Sequence, residues 1–276
     1  MATSALTPKT VAELLKLTSK HGKRAAMISG VDPLADRAAA GRVVIDLTQI
    51  SNLQAIAANK SQIVTGTGLN LGRLAREALG ENGLLRQAAS LVANPLVRNR
   101  ITLVEALDPV SPYFDITTPL VLLDAKLRLQ SSTGKRAMSI HDYFDAAIKG
   151  LKKGEIPVAV EFEKLSAGER VGFFRVARDK GKGTVSAAAK MKIVRNVCMD
   201  PEIVVSSLSL IPLRSPAAEK EIRGKTASEQ IIRSAAQQAA AEIGAISDGQ
   251  NIYEQRLIEI TVSRTLRDIM EGSIGG

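Results

Sequence analysis

The chain reads as an α/β fold followed by a smaller α+β unit. Three features of its 276 residues predict this. Short apolar strands alternate with helical stretches through the first half. Strand-like runs separated by hairpin-like turns come next. Two long patterns of helical period close the chain.

The start reads as a helix. Thr7 is placed to cap it, Pro8 suits its first position, and Val11, Leu14, Leu15 and Leu17 form an apolar stripe that His21-Gly22 closes. Residues 25–28 are an apolar run expected as a buried strand. It ends in Ser29-Gly30-Val31-Asp32-Pro33, a turn by composition. Residues 42–46 (RVVID) and 62–65 (QIVT) are further strands. Gly66-Thr67-Gly68-Leu69-Asn70-Leu71-Gly72 follows, then helices over 71–79 and 84–93. Pro109, Pro112 and Pro119 break the next stretch against a long helix, and 125–129 resumes as a strand. The Gly- and Lys-rich stretch 149–155 (KGLKKGE) is the best candidate boundary. Beyond it, 156–162, 171–177, 184–194 and 201–211 read as strands, with 179–183 (DKGKG) as a hairpin-like turn. Helices over 227–243 and 252–270 end the chain. The last carries Leu257, Ile258, Thr261, Val262, Leu266, Ile269 and Met270 on one side.

Composition removes several classes of function. Apolar residues make up 45% and charged residues 24%, which suits a globular chain with a sizeable core and excludes wholesale disorder. With no Trp and only 3% aromatics, Leu, Ile, Val and Ala must fill that core. The length suggests two domains. Cys198 is the only cysteine, so there is no internal disulfide and no iron–sulfur cluster, which needs about four thiolates. His21 and His141 are the only histidines, so a His-rich metal site is excluded too. A reducing, cytoplasmic location is expected. MATSALTPKT lacks the charge and apolar pattern of a signal peptide. No apolar run approaches the roughly 18 residues of a membrane span. The net charge of +9 is spread along the chain without a recognition motif, and stacking aromatics are scarce. Nucleic acid is therefore not an expected partner. A basic face matching an acidic subunit or an anionic cofactor fits better.

Most catalytic templates fail. There is no G-x-S-x-G elbow and no phosphate-loop spacing. His141 reads as a surface or capping residue and Cys198 as a buried structural thiol. Gly66, Gly68 and Gly72 form G-x-G-x-x-x-G after a strand, which by itself also suits an ordinary strand-to-helix turn.

The stretch 94–125, NPLVRNRITLVEALDPVSPYFDITTPLVLLDA, is more specific. It resembles the second flavin-binding segment of the FAD-binding (medium) subunit of molybdenum hydroxylases, the carbon monoxide dehydrogenase and xanthine dehydrogenase type. Val97-Arg98-Asn99, Thr102-Leu103, Leu107, Asp115 and Leu123-Asp124-Ala125 align with that pattern. MISGVDPL (27–34) stands where the family has A-G-G-T-D-L, VVIDLTQI (43–50) at its next strand, and Gly66-Thr67 at its third loop. GFFRVARDKGKGTVSAAAKM (172–191) resembles the opening of the family's C-terminal domain, where an aromatic and a basic residue come first, which brings in Arg175. YEQRLIEITVSRTLRDIM (253–270) resembles its last helix.

The resemblance implies a p-cresol-methylhydroxylase-type two-lobed FAD-binding domain over 1–165, with lobes of about 1–50 and 51–165. A small CO-dehydrogenase-flavoprotein-like C-terminal domain of sheet and helices would follow over 166–276. It implies FAD extended between the lobes, near Ser29, Gly30, Val31, Asp32, Gly66, Thr67, Thr102, Val104, Glu105, Asp115 and Arg175. It implies partners: a large molybdopterin subunit and a small [2Fe–2S] subunit, assembled as a dimer of heterotrimers. The implied role is electron relay from the partner's clusters through FAD to an external acceptor.

The sequence departs from the family where paired glycines let backbone N–H groups approach the pyrophosphate. Those pairs are Ser29-Gly30 and Val104-Glu105 here, and Ile101 replaces the glycine before Thr102. A carboxylate about 5 Å from a pyrophosphate is repelled by roughly 3 kcal/mol at an effective dielectric of 20, roughly a hundredfold in affinity. The alternative expectation is therefore a flavin-free structural or assembly subunit.

Overall fold

The computed structural model describes residues 5–28, 43–77, 83–92, 94–109, 111, 113, 116–149, 151–152, 154–177, 184–207, 211–246 and 252–271. Helix α1 (Val11–His21) starts later than expected. Thr10, rather than Thr7, caps it: Thr10 Oγ1 accepts from Glu13 N at 3.1 Å, and the Glu13 carboxylate accepts from Lys9 N at 2.8 Å. The segment before it is drawn into the adjacent sheet. Leu6 bridges Ile45 in parallel, its N–H donating to Val44 O and its carbonyl accepting from Asp46 N. Strands β1 (Ala25–Ile28) and β2 (Val43–Asp46) pair in parallel. Leu14, Leu15, Ile45, Leu47, Ile50 and Leu53 bury there as the core of the first lobe.

The second lobe is a five-stranded sheet. Its order is β3 (Ile56–Ala58), β4 (Gln62–Gly66), β7 (Ile156–Glu163), β5 (Lys126–Ser131) and β6 (Gly134–Ser139), with every pairing antiparallel. Helices α2 (Leu71–Arg76), α3 (Gly83–Leu91), α4 (Pro95–Arg98), α5 (Leu103–Ala106) and α6 (Thr117–Leu122) lie between β4 and β5 in sequence, and α7 (Ile140–Lys149) follows β6. Leu71, Leu74, Leu84, Leu85, Leu103, Leu120 and Phe144 from these helices pack against Ile63, Leu127, Leu129, Val160 and Phe162 of the sheet.

Strand β7 corrects the expected boundary at 149–155. It belongs to this sheet rather than to the one that follows. A bulge opposite Arg128/Leu129, where Arg128 pairs with Ala159 but Leu129 with Pro157, reverses its faces: Ile156 and Val158 join the first lobe's core, whereas Val160 and Phe162 join the second lobe's. One strand thus ties the two cores together.

The remaining strands, β8 (Glu169–Ala177), β9 (Thr184–Val194), β10 (Val197–Ser206) and β11 (Leu213–Arg214), form an antiparallel sheet in the order β11-β10-β9-β8. Val185, Ala187, Ala189 and Met191 of β9 face α8 (Pro216–Ile222), α9 (Glu229–Ile246) and α10 (Ile252–Glu271). Ala188, with Phe173 and Val204, faces the opposite way and joins the second lobe's core. Ser186, on that face, meets Thr118 of α6 through a hydroxyl pair at 2.8 Å. The last helix buries Leu257, Ile258, Thr261, Val262, Leu266 and Ile269 of the predicted stripe, leaves Met270 half-buried, and adds Glu254 and Thr265. Thr265 Oγ1 donates to Thr261 O at 2.9 Å. No described helix is long and apolar enough to cross a membrane.

Candidate functional site

Two loops that lie far apart in sequence meet beside the lobe junction. Asn70 and Thr102 form an isolated antiparallel bridge. Leu71 N donates to Ile101 O and Leu103 N to Leu69 O, each at 2.9 Å, and Val104 N donates to Thr67 O at 2.8 Å. Thr67 is itself anchored to β7: its N–H reaches Val158 O at 3.2 Å, and its Oγ1 reaches Pro157 O at 2.8 Å. Gly66 and Thr67 are thereby brought together with Thr102, Val104 and Glu105. Ser29, Gly30, Val31, Asp32 and Asp115 lie outside the described residues.

Glu105 turns back on its own helix. Thr102 is the N-cap of α5, and the two residues form a reciprocal capping box. The Glu105 carboxylate accepts from Thr102 N at 2.8 Å and from Thr102 Oγ1 at 2.7 Å. In the box the Glu105 N–H donates to the Thr102 side chain. All four backbone N–H groups of 102–105 are therefore donated to the protein itself: to Glu105, Leu69 O, Thr67 O and Thr102 Oγ1. Ile101 is 5% exposed and is anchored in the second lobe's core. Val104 packs against the first lobe's core, beside Val11, Met27 and Val158.

The glycines are explained by close packing. A Cβ on Gly66 would lie 2.4 Å from Leu53 O, and one on Gly72 would lie 2.1 Å from Asn99 Oδ1. Neither has a positive φ; at Gly66 the neighbour is backbone, so approach rather than turn geometry requires the glycine, whereas at Gly72 it is the end of the Asn99 side chain. Asn99, read in the sequence only as part of Val97-Arg98-Asn99, is a site residue that the pattern did not single out. Its Oδ1 accepts from Arg76 Nη1 at 3.2 Å. Gln54 is a second such residue: its Nε2 is buried without a hydrogen-bond partner, 2.8 Å from where a Cβ on Gly68 would stand. No local sequence signal marks it.

Arg175 acts at a different place. Its Nη1 donates to Leu91 O at 2.6 Å, at the carbonyl end of α3, where a cation also complements the helix dipole. An open cleft of about 520 Å³ between the lobes is lined by Val11, Leu53, Val64, Arg128, Arg136 and Val158, among others. Neither Gly66 nor Thr67 lines it, nor do Thr102, Val104 and Glu105. The described loop residues do not fit the pyrophosphate of FAD as they stand, because the donors that would cradle it are taken and a carboxylate holds the place of an anion.

Residues 1–162 match the family model described as the FAD binding domain in molybdopterin dehydrogenase. The 6-hydroxypseudooxynicotine dehydrogenase complex subunit alpha of Paenarthrobacter nicotinovorans is 24% identical over 93% of this chain and 90% of its own. The carbon monoxide dehydrogenase medium chain of Hydrogenophaga pseudoflava is 24% identical over 85% of this chain and 84% of its own. Among solved structures, carbon monoxide dehydrogenase from Hydrogenophaga pseudoflava superimposes with a TM-score of 0.82 at 23% identity, covering 98% of this chain and 99% of that one. Quinoline 2-oxidoreductase from Pseudomonas putida 86 does so with a TM-score of 0.82 at 22% identity, covering 100% and 99%. These likenesses establish the two-lobed fold with its C-terminal sheet and helices, and the named relatives are dehydrogenase subunits. The chain belongs to the family of FAD-binding domains of molybdopterin dehydrogenases.

Proposed function

We propose that the chain is the medium subunit of a cytoplasmic molybdenum hydroxylase complex, partnered by a large molybdopterin subunit and a small [2Fe–2S] subunit in a dimer of heterotrimers. The observation that carries this is the family match over the first lobes together with a fold shared along the whole chain. One buried cysteine and two histidines are too few to hold iron–sulfur clusters, so cluster chemistry falls to another chain. FAD, when bound in such a subunit, accepts and passes on electrons. Relay to an external acceptor needs the 102–105 loop open to the pyrophosphate. That loop is closed here, so the proposal rests on assembly: the chain supplies a rigid body on which the two partners dock. The test is affinity purification of the full chain from its native cells, followed by mass and metal analysis. Co-purifying chains that carry molybdenum and iron are expected. A chain recovered alone, or with metal-free partners, would refute the proposal.

A further inference from the structure

We infer that this chain has closed its own dinucleotide site: Glu105 takes up the loop that would meet the pyrophosphate, and Val104 fastens the two lobes that a bound cofactor would otherwise bridge. The inference rests on the family reading of the previous subsection and deepens it.

Three features of the described residues agree. The first is donor use. Each backbone N–H from Thr102 to Glu105 already has an acceptor within the chain, so a dinucleotide would have to displace protein hydrogen bonds rather than meet free donors. The second is charge. The Glu105 carboxylate is held by two contacts to Thr102 and cannot swing aside without breaking the cap of α5. The third is packing. Val104, half-buried, packs from the second lobe against the apolar cluster that holds Leu14, Leu15, Ile45 and Leu53 of the first. Ile156 and Val158 of β7 reach the same cluster. The lobes therefore share an apolar contact at the place where glycines would leave room for a ligand. Gly66, which stands at a family position, is required by Leu53 O, so its presence does not signal a cradle.

The test uses the full chain purified with its partners from riboflavin-replete cells. Denaturation should release no flavin, and added FAD should not be quenched by the protein. Stoichiometric flavin in the wild-type chain overturns the inference. The double variant V104G/E105G should bind FAD about a hundredfold more tightly than wild type, the gain expected from removing one opposed charge. A gain below about threefold overturns the assignment of these two side chains. Should the double variant fail to fold, E105A and V104A replace it. E105A frees the Thr102 N–H and should gain FAD affinity. V104A should lower the Tm by about 2–4 °C through lost packing between the lobes. An unchanged Tm in V104A, or no gain of affinity in E105A, overturns the corresponding half. Failure of the family reading would instead show as an absence of molybdenum- and iron-bearing partners, which the flavin content does not affect.

Discussion

Thr118 and Ser186 join the second lobe to the C-terminal sheet by a single hydroxyl pair at 2.8 Å, and both side chains are fully buried. Thr118→Val keeps the shape of the side chain and removes its polar atom. Ser186 is then left with a buried hydroxyl and no partner, a loss of roughly 1–3 kcal/mol. For a chain of this size each kcal/mol corresponds to about 2–4 °C in Tm. The expected fall is therefore about 2–6 °C by calorimetry, taking the lower and middle parts of both ranges. Ser186→Ala orphans Thr118 in the same way. The double variant removes both polar atoms together, so its loss should be smaller than the sum of the two, with a coupling of about 1 kcal/mol. Each of the three proteins would be unfolded in urea and by heat under identical conditions. Strictly additive losses would refute the reasoning, because they would mean that each hydroxyl is satisfied by something other than its neighbour.

Gly66→Ala should destabilise the fold by about 2 kcal/mol or more, since its new methyl would stand 2.4 Å from a backbone oxygen that has no freedom to rotate away; wild-type stability in urea would contradict the contact. The Arg136 fork, with Nε and Nη2 each 2.8 Å from Glu155, holds the Glu155 carboxyl below the usual carboxylate range. A lowered folded value stabilises the fold above the unfolded value, and that stability is lost as pH falls through the folded one. Glu155→Gln should therefore flatten the acid limb of a Tm–pH profile and leave the alkaline limb alone, whereas an unaltered acid limb would show that the pair contributes nothing. Burial raises the Cys198 thiol above its ordinary value, so a thiol reagent should leave the native protein unmodified and titrate the cysteine only after denaturation. Rapid modification of the native chain would refute that placement.

Local pattern located most of the elements. The stripes of α1 and α10 and the apolar runs of β1, β4, β8 and β9 are each visible because their periods of 3.6 or 2 residues record which side is buried. Strands β3, β6 and β11 and helices α4 to α8 went unread. The exposed, charged run of β6, with only its end partly covered, gives no alternation for a reader to follow. The Ser139–Asp142 cap that starts α7 became meaningful only once the hairpin was known to end there.

The candidate site divides in a similar way. The sequence by itself determined that the chain descends from a flavin-binding scaffold, and that Ile101, Val104 and Glu105 depart from it, since residue identity at aligned positions is all that those statements need. Only the tertiary structure decided what the departures do. A carboxylate free in solution would repel a pyrophosphate, whereas this one is folded back onto Thr102 and completes a helix cap. Val104 on a string of letters is a bulky residue in a loop; in space it is a contact between two lobes. The membership of β7 was out of reach of local pattern, which put a boundary before it, and only the family resemblance over 1–165 placed it, because the sheet a strand joins is set by long-range pairing, here with β4 and β5.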